Sequence, residues 1–500
     1  LIALLRPGLG QELAELVTRL LWPTALFAAL CAVVGREAYR RAGPWAVAAV
    51  AVFAATSIGA TGQFRPGRID HHNVQILCAV ASLLLLVRSC NDHRLGWSAG
   101  ALIGVGLAIG YEAIALVGPA LALAALIAVM QPARRLRLLP VGVAATVSLL
   151  AAGVLTTPPA TWLTSRCDAL SVNLIVVAAS GTCGLWLAER FAQRWEARLA
   201  SLAAAALLGA SAFAALEPAC LAGPFGEVDP ALKPIWLDHV LETKSLLWFA
   251  GREPAFALAQ FGFLLAGAAA QLLAWRRRRD AESTLATGIV LLAVGLACWQ
   301  MKLVAYASWL ALLPLACLCG RLAGTARLAS GWVRAAAVVL LSQATLEAVF
   351  SLAAAAVPSP PRQGSAQLVA ADPRGPCFQS ASLSALAALR PGLVAADLDL
   401  GPYVVALTPH RVVAAPYHRI AKGILANHAI LDAELDGAEA AMRGLGVDYI
   451  ALCNRTGTLP GGTARSSLRE ALLGNGALGF LEPVAGTSKA PIRVWRRSPP

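Results

Sequence analysis

Residues 303–320 read LVAYASWLALLPLACLCG, a run of eighteen residues without a charged side chain. A helix needs about 20 predominantly apolar residues to cross the hydrocarbon core of a bilayer. Comparable runs recur through the first 354 residues and predict about twelve transmembrane helices. These spans lie near residues 20–35, 44–60, 73–88, 96–110, 113–130, 138–156, 170–188, 199–216, 254–275, 284–299, 303–320 and 333–354. The sequence therefore predicts an α-helical polytopic membrane protein.

The composition agrees with a chain whose solvent is mostly lipid. Charged residues make up 14% of the 500 residues and hydrophobic ones 58%, with a mean hydropathy of +0.65. Soluble domains carry about 25% charged residues. The net charge of +13 does not indicate a nucleic-acid partner, because the basic residues form short clusters between apolar runs. That arrangement is typical of loop arginines that set the orientation of a membrane protein.

Basic residues are distributed unevenly between alternate loops. One set of loops holds 18 of them and the other holds 7. The richer set lies at 36–41, 88–94, 134–137, 190–198, 276–279 and 321–334, and the poorer set comprises Arg65, Arg68, Arg166, Lys233, Lys244, Arg252 and Lys302. The positive-inside rule assigns the richer set to the cytoplasm. The loops 61–72, 157–169 and 217–253, and the residues after about 355, are then predicted to face outward.

The last part of the chain differs from the rest. The Pro-rich stretch 358–361 is predicted to separate a transmembrane domain, 1–357, from an outer domain, 358–500. Short β-like segments alternate there with helical ones, which predicts a small soluble α/β domain. The β-like segments are 393–398, 403–407, 411–415, 448–453 and 492–496, and the helical ones are 380–390 and 433–446. Cys377 and Cys453 are able to form a disulfide if this domain faces an oxidising compartment.

One predicted outer loop concentrates groups that carry chemistry. Residues 62–75 read GQFRPGRIDHHNVQ and contain Arg65, Arg68, Asp70, His71 and His72. Asp70 and His72 are candidate ligands of a divalent cation, with His71 as a substitute. The planar guanidinium groups suit phosphate, and a cation with arginines is what a pyrophosphate leaving group requires. The alternative is a polar loop whose Asp and His only cap the next helix.

A second outer loop, 217–253, contains further acidic residues. The stretch 236–245 is predicted to be helical, which puts Asp238 and Glu242 on one face at i, i+4 spacing. One of these carboxylates then completes a metal site or holds an acceptor. The alternative is a solvated helix at the membrane interface.

Two isolated charges have two interpretations each. Lys302 follows the predicted span 284–299 and either holds a lipid phosphate or extends its ammonium group to the membrane interface. Glu112, in Gly110-Tyr-Glu-Ala, is an intramembrane acid and a functional candidate by default. If the chain breaks between 96–110 and 113–130, Glu112 is a loop residue instead.

The segment GRIDHHNVQ, 67–75, resembles the second acidic motif of the oligosaccharyltransferase catalytic subunits, which belong to the GT-C superfamily of membrane glycosyltransferases. The resemblance implies that Asp70 and His72 bind metal, that about thirteen spans are present and that the C-terminal domain lies outside the membrane. Val240-Leu241-Glu242 is similar to a second motif of the family and implies a role for Glu242. Lys302 lies where the family has a basic residue that contacts donor phosphate.

Two motifs of the family have no counterpart in the sequence. The first D-x-D motif follows the family's first span, so we expect that span and motif to precede Leu1. The W-W-D-Y-G motif, which recognises an asparagine acceptor in a peptide, is not present. The C-terminal domain therefore gives no support for a particular acceptor.

These observations predict an inverting, metal-dependent glycosyltransferase of the bacterial inner membrane, with its active site and C-terminal domain on the periplasmic side. The donor is a polyprenyl-phosphate or pyrophosphate sugar drawn from the membrane lipid, and the acceptor is a glycan, a protein or a lipid. The metal is Mn²⁺ or Mg²⁺. The catalytic and metal-binding candidates are Asp70, His71, His72 and Glu242, and the phosphate-binding candidates are Arg65, Arg68 and Lys302.

The main alternative is a transporter or a flippase for lipid-linked sugars. Such a protein needs polar residues inside several spans to line a path. Apart from Glu112, the predicted spans are mostly Ala, Leu, Val and Gly, and the polar groups gather at one face, which favours a surface active site. A non-catalytic membrane scaffold is the second alternative, and it predicts that alanine at Asp70 and His72 has no effect.

Overall fold

A computed structural model describes residues 1–130, 137–190, 194–324, 330–355, 375–454, 467–474, 476 and 478–498. The chain divides into two compact units. The first comprises Leu1–Glu227 and Glu242–Ser359, and the second comprises Val228–Leu241 and Pro360–Pro500. The predicted domain boundary at 357/358, the stretch 358–361 and the basic residues Arg134, Arg135 and Arg327 lie outside the described residues.

The first unit is entirely helical in the part that the structure describes. Its helices are α1 Ile2–Ala42, α2 Pro44–Thr56, α3 Ile58–Thr61, α4 His71–Ser89, α5 Leu95–Ile109, α6 Ile114–Met130, α7 Leu139–Thr156, α8 Val172–Arg190, α9 Trp195–Leu216, α11 Leu246–Ala250, α12 Pro254–Arg277, α13 Ala281–Trp299, α14 Val304–Ala323, α15 Gly331–Leu340 and α16 Gln343–Ala355; the short α10, Leu232–Ile235, belongs to the second unit. Within the described ranges, nine helices are long and apolar enough to cross a membrane. Two bent pairs, α2 with α3 and α15 with α16, raise the number to eleven.

The predicted spans agree with these helices. Each of the twelve predicted segments overlaps a candidate span, a bent pair or the shorter apolar helix α5. The chain is thus an integral membrane protein with polytopic α-helical architecture. The predicted orientation of its loops stays a prediction.

Close packing of small residues joins α5 to α7. Gly96, Gly100 and Gly104 lie four residues apart on α5. A Cβ atom at Gly100 would lie 2.2 Å from the carbonyl oxygen of Val141, so only glycine permits this approach. Helices in lipid associate through such close contacts because the hydrophobic effect gives no driving force between them.

A chain of buried hydrogen bonds links the two bent pairs to the straight helices α12 and α14. Ser57 Oγ donates to Gln343 Oε1 at 2.6 Å, and Gln343 Nε2 donates to Gln260 Oε1 at 2.7 Å. Gln260 Nε2 in turn donates to Ser308 Oγ at 3.3 Å. Neighbouring helices must satisfy polar groups where a helix bends in a membrane. We call these four residues the neutral network.

The second unit contains a five-stranded sheet of order β2-β1-β3-β5-β4. Its strands are β1 Leu393–Ala396, β2 Arg411–Val412, β3 Tyr449–Cys453, β4 Leu481–Pro483 and β5 Ile492–Arg497. β1 is parallel to β2 and β3, whereas β5 is antiparallel to β3 and β4. The helices after Ser359 are α17 Ser384–Ala387, α18 Gly401–Leu407, α19 Ala421–Leu431, α20 Leu435–Leu445 and α21 Leu468–Leu473. The predicted α/β domain is confirmed.

One predicted β-like segment in this unit is wrong. Residues 403–407 belong to α18 instead of a strand. Pro402 lies in the first turn of this helix, where its fixed φ angle favours helix initiation. The β-branched residues of YVVAL resemble a strand, but Val404 is buried on the helix and contributes to the core.

Each unit has one disulfide among its described residues. Cys377 and Cys453, the pair that the sequence left open, are bonded in the second unit, with their Cα atoms 5.8 Å apart. Cys167 and Cys220 are bonded in the first unit, with a Cα separation of 4.9 Å, and this pair was not predicted. Nothing in the spacing of 53 residues between them identifies the pair from sequence.

Candidate functional site

The loop before α4 is held in place from two sides. Gly67 has a φ of +90°, which favours glycine, and its N–H donates to the carbonyl oxygen of Arg19 at 2.8 Å. Asn73, fully buried on α4, donates from Nδ2 to the carbonyl oxygens of Gln63 at 2.6 Å and Arg68 at 3.2 Å. These bonds fix the backbone that presents Asp70.

Asp70 begins α4 and also faces both histidines. Its carboxylate accepts a long hydrogen bond of 3.5 Å from the backbone N–H of His72, and Asn73 Oδ1 accepts from the N–H of Asp70 at 3.0 Å. Asp70 and Asn73 form a capping box, in which the Asp70 side chain also accepts from the backbone N–H of Asn73. The alternative interpretation of Asp70 as a helix cap is therefore partly right. The same carboxylate contacts His71 Nδ1 at 2.7 Å and lies 3.9 Å from His72 Nε2, so capping leaves it free to act as a ligand.

Asp70, His71 and His72 form a candidate metal-binding cluster. One ligand atom from each of the three lies within 4.8 Å of the other two, and no other such group occurs within the described ranges. A carboxylate with imidazoles suits Mn²⁺ or Zn²⁺ better than it suits the all-oxygen preference of Ca²⁺ and Mg²⁺. The donor set thus fits a divalent transition metal.

The charge of Asp70 favours a cation. Burial of its carboxyl group raises its pKa, but the hydrogen bond from His71 and the charges of His72 and His71 lower it by more. The net result is a pKa well below the ordinary value for aspartate. Asp70 is therefore an anion under ordinary conditions, as a metal ligand must be.

Arg68 links Glu242 to this cluster by ion pairs. The guanidinium group of Arg68 lies 3.7 Å from Asp70 Oδ2 and 3.8 Å from Glu242 Oε1. The structure thus brings the two predicted carboxylates within 4 Å of the same nitrogen, Nη2 of Arg68. Arg65 lies in the same loop, exposed, directly after the 3-10 turn Gly62–Phe64.

The predicted helix over 236–245 is wrong. The chain forms two 3-10 turns, Leu237–His239 and Leu241–Thr243, and Val240 between them has an extended backbone with a ψ of 113°. Branching at Cβ disfavours helix at Val240, and Ser245 starts the separate helix α11 by accepting from the N–H of Trp248. Asp238 and Glu242 therefore do not share a helical face.

Glu112 joins the site, although the sequence placed it among neither the metal-binding nor the phosphate-binding candidates. Helix α5 ends at Ile109, Gly110 is extended, and a 3-10 turn over Tyr111–Ala113 precedes α6. The chain does break here, so Glu112 is a loop residue. It nevertheless lies in the site, because its Oε2 is 3.3 Å from His72 Nδ1. The break at Gly110 was visible in the sequence, but the contact with His72 was not.

Lys302 lies on the far side of Glu112. It belongs to the 3-10 turn Met301–Leu303, and its Nζ donates to Glu112 Oε1. The N–H of Met301 donates to the carbonyl oxygen of Lys244 at 2.8 Å, which fixes this turn. Contacts thus join the predicted residues Asp70, His71, His72, Arg68, Glu242 and Lys302 into one charged group, with Glu112 as the link to Lys302. We call this group the charged site.

A buried hydroxyl adjoins the charged site. Tyr306, on α14 one turn after Lys302, is 2% exposed, and its hydroxyl has no hydrogen-bond partner among the described residues. The carboxylates of Glu112 and Asp70 are close enough to act on it electrostatically. Buried polar atoms are nearly always paired, so this hydroxyl points to a water molecule or a ligand.

The described structure is thus that of a polytopic membrane protein. Its charged site is assembled from loops between the helices and from the start of α4. No family model matches the sequence, and no curated protein matches it. The structure is similar to those of the archaeal oligosaccharyltransferase AglB from Archaeoglobus fulgidus. The complex of that enzyme with an inhibitory peptide and a dolichol-phosphate matches at a TM-score of 0.61 and 14% identity, over 89% of this chain and 59% of that one.

Two further structures of the same enzyme are similar to this chain. The form tethered to an acceptor peptide with the NVT sequon matches at a TM-score of 0.62 and 14% identity, over 98% of this chain and 63% of that one. The complex with Zn and sulfate matches at a TM-score of 0.50 and 14% identity, over 89% of this chain and 56% of that one. This chain thus has the fold of the archaeal oligosaccharyltransferase and spans about three fifths of its length. The resemblance inferred from residues 67–75 is confirmed for the fold.

Proposed function

We propose that this protein is a metal-dependent, inverting GT-C glycosyltransferase that moves a sugar or oligosaccharide from a polyprenyl-(pyro)phosphate donor to an acceptor. The observation that carries this proposal is the charged site, in which Asp70 and His72 meet on a fold that oligosaccharyltransferases use. The dolichol-phosphate in one of the similar structures supports a lipid-linked donor.

Asp70 and His72 are the proposed metal ligands, with His71 beside them and Glu242 as a further carboxylate from the second loop. When bound, Mn²⁺ or Mg²⁺ would neutralise the charge that develops on the leaving phosphate. The imidazole of His72 favours Mn²⁺ over Mg²⁺. One structure of the similar enzyme is a complex with Zn and sulfate, which supports a site for a divalent cation and an anion.

Arg65 and Arg68 are the proposed phosphate contacts. Arg65 is exposed, and Arg68 makes only long ion pairs, of 3.7 and 3.8 Å, with Asp70 and Glu242. Such pairs are weak enough to exchange for the two parallel hydrogen bonds that a guanidinium group gives to phosphate. The two arginines then bind the lipid phosphate as the acceptor attacks the anomeric carbon from the opposite side and the phosphate leaves.

The proposed location of the charged site is the outer face of a plasma membrane, with the second unit on the same side. The bonded pair Cys377–Cys453 supports an oxidising compartment for that unit, and the pair Cys167–Cys220 supports one for the loops of the first unit. The uneven distribution of loop arginines supports the same orientation.

The experiment that tests this function is sugar transfer from radiolabelled polyprenyl-linked donors in membranes that contain the full-length protein. Wild type is compared with Asp70→Asn, with and without EDTA. Asparagine caps a helix as well as aspartate does, so Asp70→Asn removes the anionic ligand but keeps the cap. The matched control is Asp92→Asn, because Asp92 also accepts from a backbone N–H, that of Arg94 at 3.1 Å, outside the site.

Transfer that is lost with Asp70→Asn or with EDTA, but kept with Asp92→Asn, supports the proposal. If transfer is insensitive to both Asp70→Asn and EDTA, the charged site takes no part in the reaction. If no donor gives transfer but lipid-linked sugars cross the membrane, the protein is a flippase instead.

A further inference from the structure

The proton on the imidazole of His72 can be assigned from its neighbours. Two oxygens face its Nδ1, Glu112 Oε2 at 3.3 Å and Gln75 Oε1 at 3.4 Å. The amide of Gln75 is fixed in orientation, because its Nε2 donates to the carbonyl oxygen of Gly110 at 2.5 Å. Both neighbours of Nδ1 are therefore acceptors, so Nδ1 carries the proton in the assigned network.

In the neutral form of the ring this assignment leaves the lone pair on Nε2. Nε2 lies 3.9 Å from Asp70 Oδ2, too far for a hydrogen bond between an imidazolium and a carboxylate. Two electron-pair donors thus face each other across a gap. Two atoms that bind one metal ion at about 2.0–2.2 Å cannot lie more than about 4.4 Å apart, so the separation of 3.9 Å is compatible with a shared ion.

Glu112 is itself held by two features of the fold. Its other oxygen, Oε1, accepts from Lys302 Nζ, which neutralises the carboxylate and fixes its position. The break that delivers Glu112 requires glycine at position 110, because a Cβ atom there would lie 2.7 Å from the side-chain amide carbon of Gln75. The turn Tyr111–Ala113, the turn Met301–Leu303 and α4 thus converge on one side of His72.

We propose that Glu112 and Lys302 form a positioning pair for His72. Glu112 Oε2 lies 3.3 Å from Nδ1, where its negative charge favours the proton on that nitrogen and leaves the Nε2 lone pair toward Asp70, while Lys302 holds Glu112 in place. This assigns Lys302 to Glu112 instead of to the donor phosphate. A histidine that binds metal usually donates its second N–H to such a partner, and loss of the partner lowers metal affinity by about 10–100-fold. The catalytic meaning of the pair rests on the proposed function, but its effect on metal binding does not.

The experiment measures Mn²⁺ affinity by electron paramagnetic resonance on the purified full-length protein in detergent, separately from any transfer assay. Glu112→Leu keeps the approximate size of the side chain and removes the acceptor, so we expect Mn²⁺ to bind about 10–100-fold more weakly. Glu112→Gln keeps an oxygen for Nδ1–H and should restore most of the affinity. Lys302→Met should weaken Mn²⁺ binding by about tenfold, with unchanged affinity for polyprenyl phosphate in metal-free buffer. His72→Ala is the reference for complete loss of the ligand.

The outcomes separate this inference from the proposed function. Weaker Mn²⁺ binding in Glu112→Leu with rescue by Glu112→Gln supports the positioning pair, whether or not transfer is detected. Wild-type Mn²⁺ affinity in both Glu112→Leu and Lys302→Met overturns it, even if transfer depends on Asp70. If Lys302→Met loses polyprenyl-phosphate binding but keeps its Mn²⁺ affinity, Lys302 contacts the donor phosphate and the inference is wrong for this residue. If wild type itself binds no Mn²⁺, the pair has no metal ligand to position and the inference is wrong.

Discussion

The helical unit contains two groups of polar side chains that differ in how completely their atoms are paired. The neutral network joins Ser57, Gln343, Gln260 and Ser308 by hydrogen bonds of 2.6 to 3.3 Å, and none of its side-chain atoms is orphaned in the described structure. The charged site has the opposite character, because it leaves Glu112 Oε2 without a well-formed hydrogen bond. Both groups come from residues far apart in sequence.

The first unit has four orphaned atoms among its described residues, on the side chains of Gln63, Glu112, Tyr306 and Trp309. Those of Glu112 and Tyr306 belong to the charged site or adjoin it. Gln63 precedes Phe64, whose ring packs 6.3 Å from that of Trp309, and Tyr306 lies one turn from Trp309. A paired network needs nothing further, whereas unpaired buried atoms cost free energy unless a ligand or water satisfies them. The comparison therefore separates polar groups that hold helices together from polar groups that a ligand or water would have to satisfy.

The largest expected effect is at Asp70. We expect Asp70→Asn to lower sugar transfer by at least about 100-fold, since it removes a proposed metal ligand, with no change in the midpoint of thermal unfolding measured in EDTA, because the cap is kept. Transfer and unfolding are measured on the same preparation. If transfer is retained, the charged site has only a structural role, like the neutral network.

The second prediction concerns the neutral network. Gln343→Leu removes the acceptor of the Ser57 hydroxyl and leaves Gln260 Oε1 unpaired, so we expect it to lower the free energy of unfolding by about 1–3 kcal/mol without changing Mn²⁺ affinity. The control is Gln271→Leu, because its partner Thr287 keeps a second bond to the carbonyl oxygen of Ser283 at 2.7 Å. A fall in Mn²⁺ affinity with Gln343→Leu would contradict the separation of the two groups.

The smallest effect is expected at Tyr306. Tyr306→Phe removes a hydroxyl that is unpaired among the described residues, so its free energy of unfolding should change by less than about 0.5 kcal/mol, while transfer falls by about tenfold or less. Tyr449→Phe is the contrasting variant, because the hydroxyl of Tyr449 donates to the carbonyl oxygen of Arg390 at 3.1 Å. It should cost about 1 kcal/mol and leave transfer unchanged. Substantial destabilisation by Tyr306→Phe would show that its hydroxyl is already paired.

Local properties of the sequence were enough to predict the transmembrane spans and part of the charged site. An apolar run long enough to cross a bilayer is a property of consecutive residues, and Asp70, His71 and His72 are adjacent in the chain. Even the alternative role of Asp70 as a cap follows from its place before a helix. These features required no knowledge of which segments meet in space.

Two of the missed features depend on distant contacts. Glu112 and Lys302 are 190 positions apart, and only the packed helices bring them together. The pairing of Cys167 with Cys220 has the same origin. The segments 236–245 and 403–407 were wrong because a single position, Val240 in one and Pro402 in the other, overrides the average tendency of its neighbours.

The double role of Asp70 couples the site to the folding of α4 through thermodynamic linkage. The carboxylate that begins this helix is also the one that faces His72 Nε2, so a cation bound there adds its binding free energy to the folded state. At a free concentration of about 100 times Kd that contribution is about 2.7 kcal/mol. The first turn of α4 would then resist amide hydrogen exchange more strongly as Mn²⁺ is added, which makes the helix itself a reporter of occupancy.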